Sequence, residues 1–320
     1  MLGIHLGEFG MAIHWYPGHM HKASKEMVEV LPRVNLVIEI LDARIPYSSS
    51  NPVIDALSAD KPKIKIFTKT DLADAATTRL WQDEFEQQQQ TKTLAVDLKT
   101  EDRSEQIVQL CQKLAPRKEG ANSLVMVAGI PNVGKSTLIN HLAGKHMTRT
   151  GDEPAVTKGQ QRINLRNGIM LLDTPGILWP KVENEPSSYR LATTGAIKNT
   201  ATSYEEIAFF AADYLLKYYP KMLSRRLHFD ALPATEIEFL EALGAQRGCL
   251  RSGGRVDLER VSTVFVNELR AGMLGAVSFE TPAMIAKEQA ELVILQAEKA
   301  ALEEARLERR GRKKKSVRSQ

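Results

Sequence analysis

Long apolar runs, paired cysteines and, near its end, acidic residues are what this 320-residue chain lacks. No apolar stretch approaches the ~18 residues that a bilayer-crossing helix needs, so no membrane span is expected. Its two cysteines, Cys111 and Cys249, stand far apart and make no disulfide framework. The first residues, Met1-Leu2-Gly3-Ile4-His5, have neither the basic n-region nor the apolar core of a secretory signal. Together these absences predict a reduced, cytoplasmic protein. Acid is missing where Arg309, Arg310, Arg312, Lys313, Lys314, Lys315 and Arg318 crowd together. Such a block reads as a disordered arm that contacts polyanions, RNA foremost, by counterion release, or more plainly as a solvated tail. The net charge of only +4 shows how unevenly the cations are placed. The 43% apolar content is ample for a core, and the length suits one large or two ordinary domains.

What is present is organised around Gly129-Ile130-Pro131-Asn132-Val133-Gly134-Lys135-Ser136. The apolar run Leu124 to Ala128 reads as a buried strand before it, and Thr137 to Leu142 as a helix after it. Strand, G-x-x-x-x-G-K-[ST], helix is the P-loop arrangement. The glycines let the backbone curl so that successive N–H groups face phosphate oxygens. The helix N-terminus adds partial positive charge. Lys135 is expected at the β- and γ-phosphates, and Ser136 on a magnesium ion, Mg²⁺. The phosphate-binding set is therefore Asn132, Val133, Gly134, Lys135, Ser136 and Thr137.

Two further turns follow strands. Asp173-Thr174-Pro175-Gly176 closes the run Met170 to Leu172. Asp173 there is placed to hold the Mg²⁺ shell, and the Gly176 N–H to meet a γ-phosphate. Thr68-Lys69-Thr70-Asp71 closes the strand Lys63 to Phe67. The Asp71 carboxylate can accept both N–H donors on guanine's edge and finds no such pair on adenine, while Lys69 would lie along the base. Alone, that turn is a surface Lys-Asp pair; at a strand end beside a P-loop it reads as a base reader. Thr157, in the loop after the P-loop helix, is a candidate switch ligand for Mg²⁺, with Thr148 and Thr150 as competitors. Strands alternating with helices predict an α/β domain with a mostly parallel sheet and ligands at the strands' carboxyl ends. Past about Ser187 only helices are expected: Tyr204 to Tyr218, Ala234 to Leu243, Asp257 to Gly272, and Pro282 to about Arg309. The expected layout is a flexible leader over 1–10, with Met11 a second candidate start. An α/β domain over 11–185, a smaller all-helical domain over 186–282, and a charged helix with a basic tail over 283–320 follow.

The base-reading turn precedes the P-loop, a circular permutation of the usual G-protein order. That order, with Trp15-Tyr16-Pro17-Gly18-His19-Met20, Asp42-Ala43-Arg44-Ile45-Pro46, the run Leu250 to Arg260 and Gly272-Met273-Leu274-Gly275, resembles the circularly permuted GTPases of the ribosome biogenesis GTPase A family (YlqF/RbgA-like). The resemblance covers about residues 11–282. It implies a circularly permuted P-loop G domain and a monomeric cytoplasmic GTPase acting late in assembly of the large ribosomal subunit, with the precursor's 23S rRNA and ribosomal proteins as partners. It implies His19 near the γ-phosphate, where an imidazole could orient the attacking water. Ile177, which follows Gly176, cannot do so. It also implies a potassium ion, K⁺, beside Asn132. The family usually has Asn where Thr68 stands, which shifts guanine selectivity onto Asp71. A non-catalytic, nucleotide-gated rRNA-binding module is the alternative. A metabolic P-loop kinase would leave the base-reading turn unexplained.

Overall fold

The structure, a computed structural model, describes residues 25–116, 121–144, 161–176, 178, 184–197 and 203–318, the last sixteen of these as backbone alone. Six strands form one sheet: β1 (Leu36–Asp42), β2 (Lys63–Thr68), β3 (Thr91–Ala95), β4 (Ser123–Gly129), β5 (Gln161–Asn164) and β6 (Ile169–Asp173). Their order is β3-β2-β1-β4-β6-β5. All neighbours are parallel except β5 against β6. The three strands that precede the P-loop strand in the chain thus lie on one side of it.

The sequence explains this layering. β1, Leu-Val-Ile-Glu-Ile-Leu-Asp, is buried along its whole length, as a parallel strand covered on both faces must be. β5, at the edge, buries only Ile163. Lys63 to Phe67 alternates apolar and cationic residues, yet every position of β2 is buried. The Lys65 ammonium is matched inside by Glu39 of β1, at 2.5 Å, and by Asp55 at 3.1 Å.

Helices cover the sheet and extend the fold. Residues 25–30 form α1, and α2 (Pro46–Ser49) and α3 (Pro52–Leu57) follow β1. Next come α4 (Ala75–Glu86), α5 (Ser104–Leu114) and α6 (Lys135–Ala143). The later helices are α7 (Glu185–Thr193), α8 (Tyr204–Tyr218), α9 (Pro220–Leu227), α10 (Glu236–Gln246), α11 (Leu258–Arg270) and α12 (Pro282–Arg318). Side-chain caps set several of their starts: Asp74 accepts from Thr77 N, Asn184 from Ser187 N, and Thr235 and Glu238 form a reciprocal capping box. α7 and α9 are additions to the expected helices. The basic block expected as an unstructured arm instead continues α12 to Arg318, since Lys and Arg dominate it and favour helix, as do the Ala, Glu and Leu of the run before it.

The chain divides into two compact units, one ending at Glu280 and the other starting at Thr281. Within the first, α8 packs on α7, α9, α10 and α11 around Ile207, Ala211, Leu215, Phe239, Leu243 and Phe265. The segment 277–280 joins this helical cluster to the sheet's surroundings. Val277 N donates to Leu72 O at 2.9 Å, Phe279 N to Arg44 O at 2.8 Å, and Trp81 Nε1 to Glu280 O at 3.0 Å. Burial pushes the Glu280 carboxyl up, while Arg190 and Ser48 work against that. Among the described residues no helix is long and apolar enough to cross a membrane.

Candidate nucleotide site

Strand register puts the expected chemistry on one edge. Asp42 is paired with Thr68, Ile40 with Gly129, and Val127 with Asp173, so β1, β2, β4 and β6 all end together. From β4 the chain turns through Asn132 (φ 59°) and Gly134 (φ 96°) into α6. Glycine is required at 134 because its φ lies beyond the small left-handed well that Asn132 still occupies. The first turn of α6, with Lys135, Ser136 and Thr137, starts at this edge, and the first N–H groups of a helix have no partner within the helix itself. The Lys135 ammonium donates to Asp173 Oδ1, and both side chains are buried. Burial pulls the lysine's pKa down, and Asp173 opposes that pull. Thr174 Oγ1 donates to Val127 O at 2.9 Å, pinning the turn after β6. An added Cβ on Gly176 would lie 3.1 Å from Pro131 Cα and N, so the Asp173–Gly176 turn closes directly on the P-loop backbone.

The base-reading turn reaches the same place. Thr68 Oγ1 lies 2.5 Å from Val133 O and 3.0 Å from Leu41 O. With a single proton the hydroxyl serves one acceptor at a time, and the shorter contact ties β2 to the P-loop. Lys69 takes a left-handed conformation (φ 57°) and its Nζ donates to Asp42 Oδ2 at 3.0 Å. Asp71, in the 3-10 turn Thr70–Leu72, accepts from Lys99 Nζ at 2.7 Å. That bond raises the Lys99 pKa. Asn132 Nδ2 donates to Gly195 O at 3.0 Å, linking the P-loop to the residues just after α7. Arg44 and Arg270 reach the same stretch, at Thr194 O, Thr193 O and Ala192 O.

Thr68, Lys69, Asp71, Asn132, Val133, Gly134, Lys135, Ser136, Thr137, Asp173 and Gly176 are therefore gathered on one sheet edge. His19, Thr157, Thr148, Thr150 and Ile177 lie outside the described residues. Sequence reasoning missed Asp42, Arg44 and Lys99 as members of the site. The signal for Asp42 was available: it too is an acid closing a strand. For Mg²⁺ the donor chemistry fits, since the Ser136 hydroxyl and the Asp173 carboxylate are the hard oxygen donors that ion prefers.

A family model described as a 50S ribosome-binding GTPase matches residues 124–218. Ribosome biogenesis GTPase A of Priestia megaterium is 42% identical over 282 residues, spanning 85% of this chain and 98% of that protein. The protein of the same name from Bacillus cereus is 40% identical over 283 residues, spanning 85% of this chain and 95% of its own length. The crystal structure of GNP-bound YlqF from T. maritima superposes with a TM-score of 0.59 at 30% identity, covering 82% of this chain and 98% of that one.

Proposed function

The chain belongs to the ribosome biogenesis GTPase A family, and from that premise we propose that it hydrolyses GTP on a precursor of the large ribosomal subunit and promotes a late step of that subunit's assembly. It is a GTP hydrolase of ribosome assembly with an α/β GTPase fold. The observation that carries the reading is the Thr68–Val133 contact, which makes one site of a base-reading turn and a phosphate loop.

On this reading each polar pair at the edge exchanges partners when nucleotide enters. Asp71 trades the Lys99 ammonium for the two N–H donors of guanine. Lys135 trades Asp173 for phosphate oxygens, gaining charge-assisted bonds. The N–H groups of Asn132 to Thr137 surround the β-phosphate, and the Gly176 N–H meets the γ-phosphate. Mg²⁺, which the family generally uses, would be held by Ser136 and Asp173, joined by Thr157, and would supply positive charge against the phosphates. Asn132 Oδ1 is the atom that would ligate K⁺, and equal GTPase rates in Na⁺ and K⁺ would remove that role. His19 orients the attacking water by accepting its hydrogen bond. The precursor's 23S rRNA and ribosomal proteins are the proposed partners, met by a monomer in the cytoplasm.

Base reading can be tested apart from hydrolysis. Asp71→Asn replaces a double acceptor by one acceptor and one donor, which matches xanthine's 2-oxo edge. The variant should lose GDP affinity and gain affinity for xanthosine diphosphate. If GDP stayed preferred, Asp71 would not be the base reader. Ile177 stands where many G proteins place a water-orienting glutamine, so on this reading the water is oriented from elsewhere in the chain.

A further inference from the structure

The Asp42-Ala43-Arg44 segment reaches the base-reading turn through Lys69 on one side and the stretch after α7 through Thr194 on the other. Asp42 ends β1 directly beside Thr68, and it is 2% exposed. Both of its carboxylate oxygens are committed. Oδ1 accepts from Arg44 N at 3.1 Å and Arg44 Nε at 2.9 Å. Oδ2 accepts from Arg44 Nη2 at 2.7 Å and from Lys69 Nζ at 3.0 Å. The backbone around it is fixed as well: Asp42 N donates to Ser49 Oγ at 3.0 Å and Ala43 N to Thr68 O at 3.0 Å.

The bidentate Arg44 pair already satisfies a buried carboxylate. What it leaves unexplained is the second cation. A lysine one residue past a strand end, with a quarter of its side chain exposed, has water available to its ammonium. Here that ammonium is turned inward instead, onto a rigid anion, while the left-handed backbone at Lys69 starts the stem in a fixed direction. A four-carbon lysine stem is otherwise floppy, and ordering it on binding costs affinity.

We propose that Asp42 is a positioning residue of the guanine site, holding the Lys69 ammonium so that the lysine stem lies along the base position before nucleotide arrives. This rests on the reading of Thr68-Lys69-Thr70-Asp71 as the base reader. Asp42 itself touches no nucleotide atom; it acts through Lys69. Its Arg44 arm keeps the carboxylate from rotating away, because Arg44 Nη2 is also anchored to Thr194 O at 3.3 Å.

The test is a double-mutant cycle on GDP affinity in the full chain, read by titration of a fluorescent GDP analogue, with thermal midpoints recorded for every variant. Lys69→Met should weaken binding about tenfold, and Asp42→Asn about three- to tenfold, the range expected for releasing one ordered side chain. The double variant should be no weaker than Lys69→Met alone, because Asp42 has nothing left to position. A purely structural ion pair would instead lower the thermal midpoint and leave the GDP affinity intact, or its effect would multiply with that of Lys69→Met. Either result overturns the proposal while the base-reading turn stands. If Lys69→Met binds GDP as the parent does, the base-reading role of Lys69 falls and the positioning role falls with it. Should Asp42→Asn strand Arg44 and fail to fold, Asp42→Asn with Arg44→Met removes the whole ion pair and takes its place in the same cycle.

Discussion

Replacing Lys65 by Met probes the deepest charge in the fold. The Lys65 side chain is 0% exposed and that of Glu39 1%. The ammonium donates to Glu39 Oε2 at 2.5 Å, Ser50 Oγ at 3.0 Å and Asp55 Oδ2 at 3.1 Å, and sits 4.7 Å from the centre of the Phe85 ring. Burial alone would lower its pKa, but Glu39 and Asp55 outweigh burial and leave it raised. Loss of the ammonium falls mainly on Glu39, because Asp55 keeps Lys63 Nζ at 3.0 Å. Breaking a buried pair by removing one partner costs about 3–5 kcal/mol. Glu39 keeps the Asn51 N–H, at 2.7 Å, so the lower end of that range applies. At roughly 1.5–2 °C per kcal/mol for a chain of this size, the midpoint should fall by roughly 4–6 °C. Adding Glu39→Gln neutralises the stranded charge and preserves the acceptor for Asn51, so the double variant should recover most of the loss. The assay is thermal and urea unfolding followed by tryptophan fluorescence, Trp81 being buried. A single-variant loss under about 1 kcal/mol, or strictly additive losses, would refute the reasoning.

Other consequences are more local. Gly176→Ala places a Cβ 3.1 Å from the Pro131 backbone, which cannot yield as a side chain would. Overpacking of this kind costs about 1–3 kcal/mol, and affinity for a non-hydrolysable GTP analogue should fall well below the parent's while GDP affinity changes little; equal losses for both would place the strain elsewhere. Cys111 is buried, and desolvation pushes its thiol up to about 12. Iodoacetamide at pH 8 should therefore leave Cys111 unmodified in the native protein and alkylate it in urea, as mass spectrometry would show. Rapid native labelling would contradict the buried placement.

Some of this was legible in the letters. The P-loop, the Asp173 turn and the base-reading turn are short local patterns whose chemistry is carried by consecutive residues, and their placement after strands fixed the edge on which they meet. Partner choice was not legible. Nothing in Lys63 to Phe67 says that Lys65 points into protein rather than water, since that depends on Glu39 arriving from the neighbouring strand. The Lys99–Asp71 and Lys69–Asp42 pairs have the same cause. α9 was hidden because Pro220 reads as the end of α8, whereas at a first helical position it also starts a helix. α7 was hidden by Pro186, Ser187 and Ser188 near its start, residues that favour caps and turns until packing decides otherwise.

The central claim, that this site is a GTPase whose turnover belongs to the large ribosomal subunit, is tested most directly by GTP hydrolysis with and without large-subunit particles. Phosphate release over many turnovers should be slow alone and rise steeply with added particles, with the rise abolished in Lys135→Ala. Turnover indifferent to the particles, or a stimulated rate that survives loss of Lys135, would contradict it.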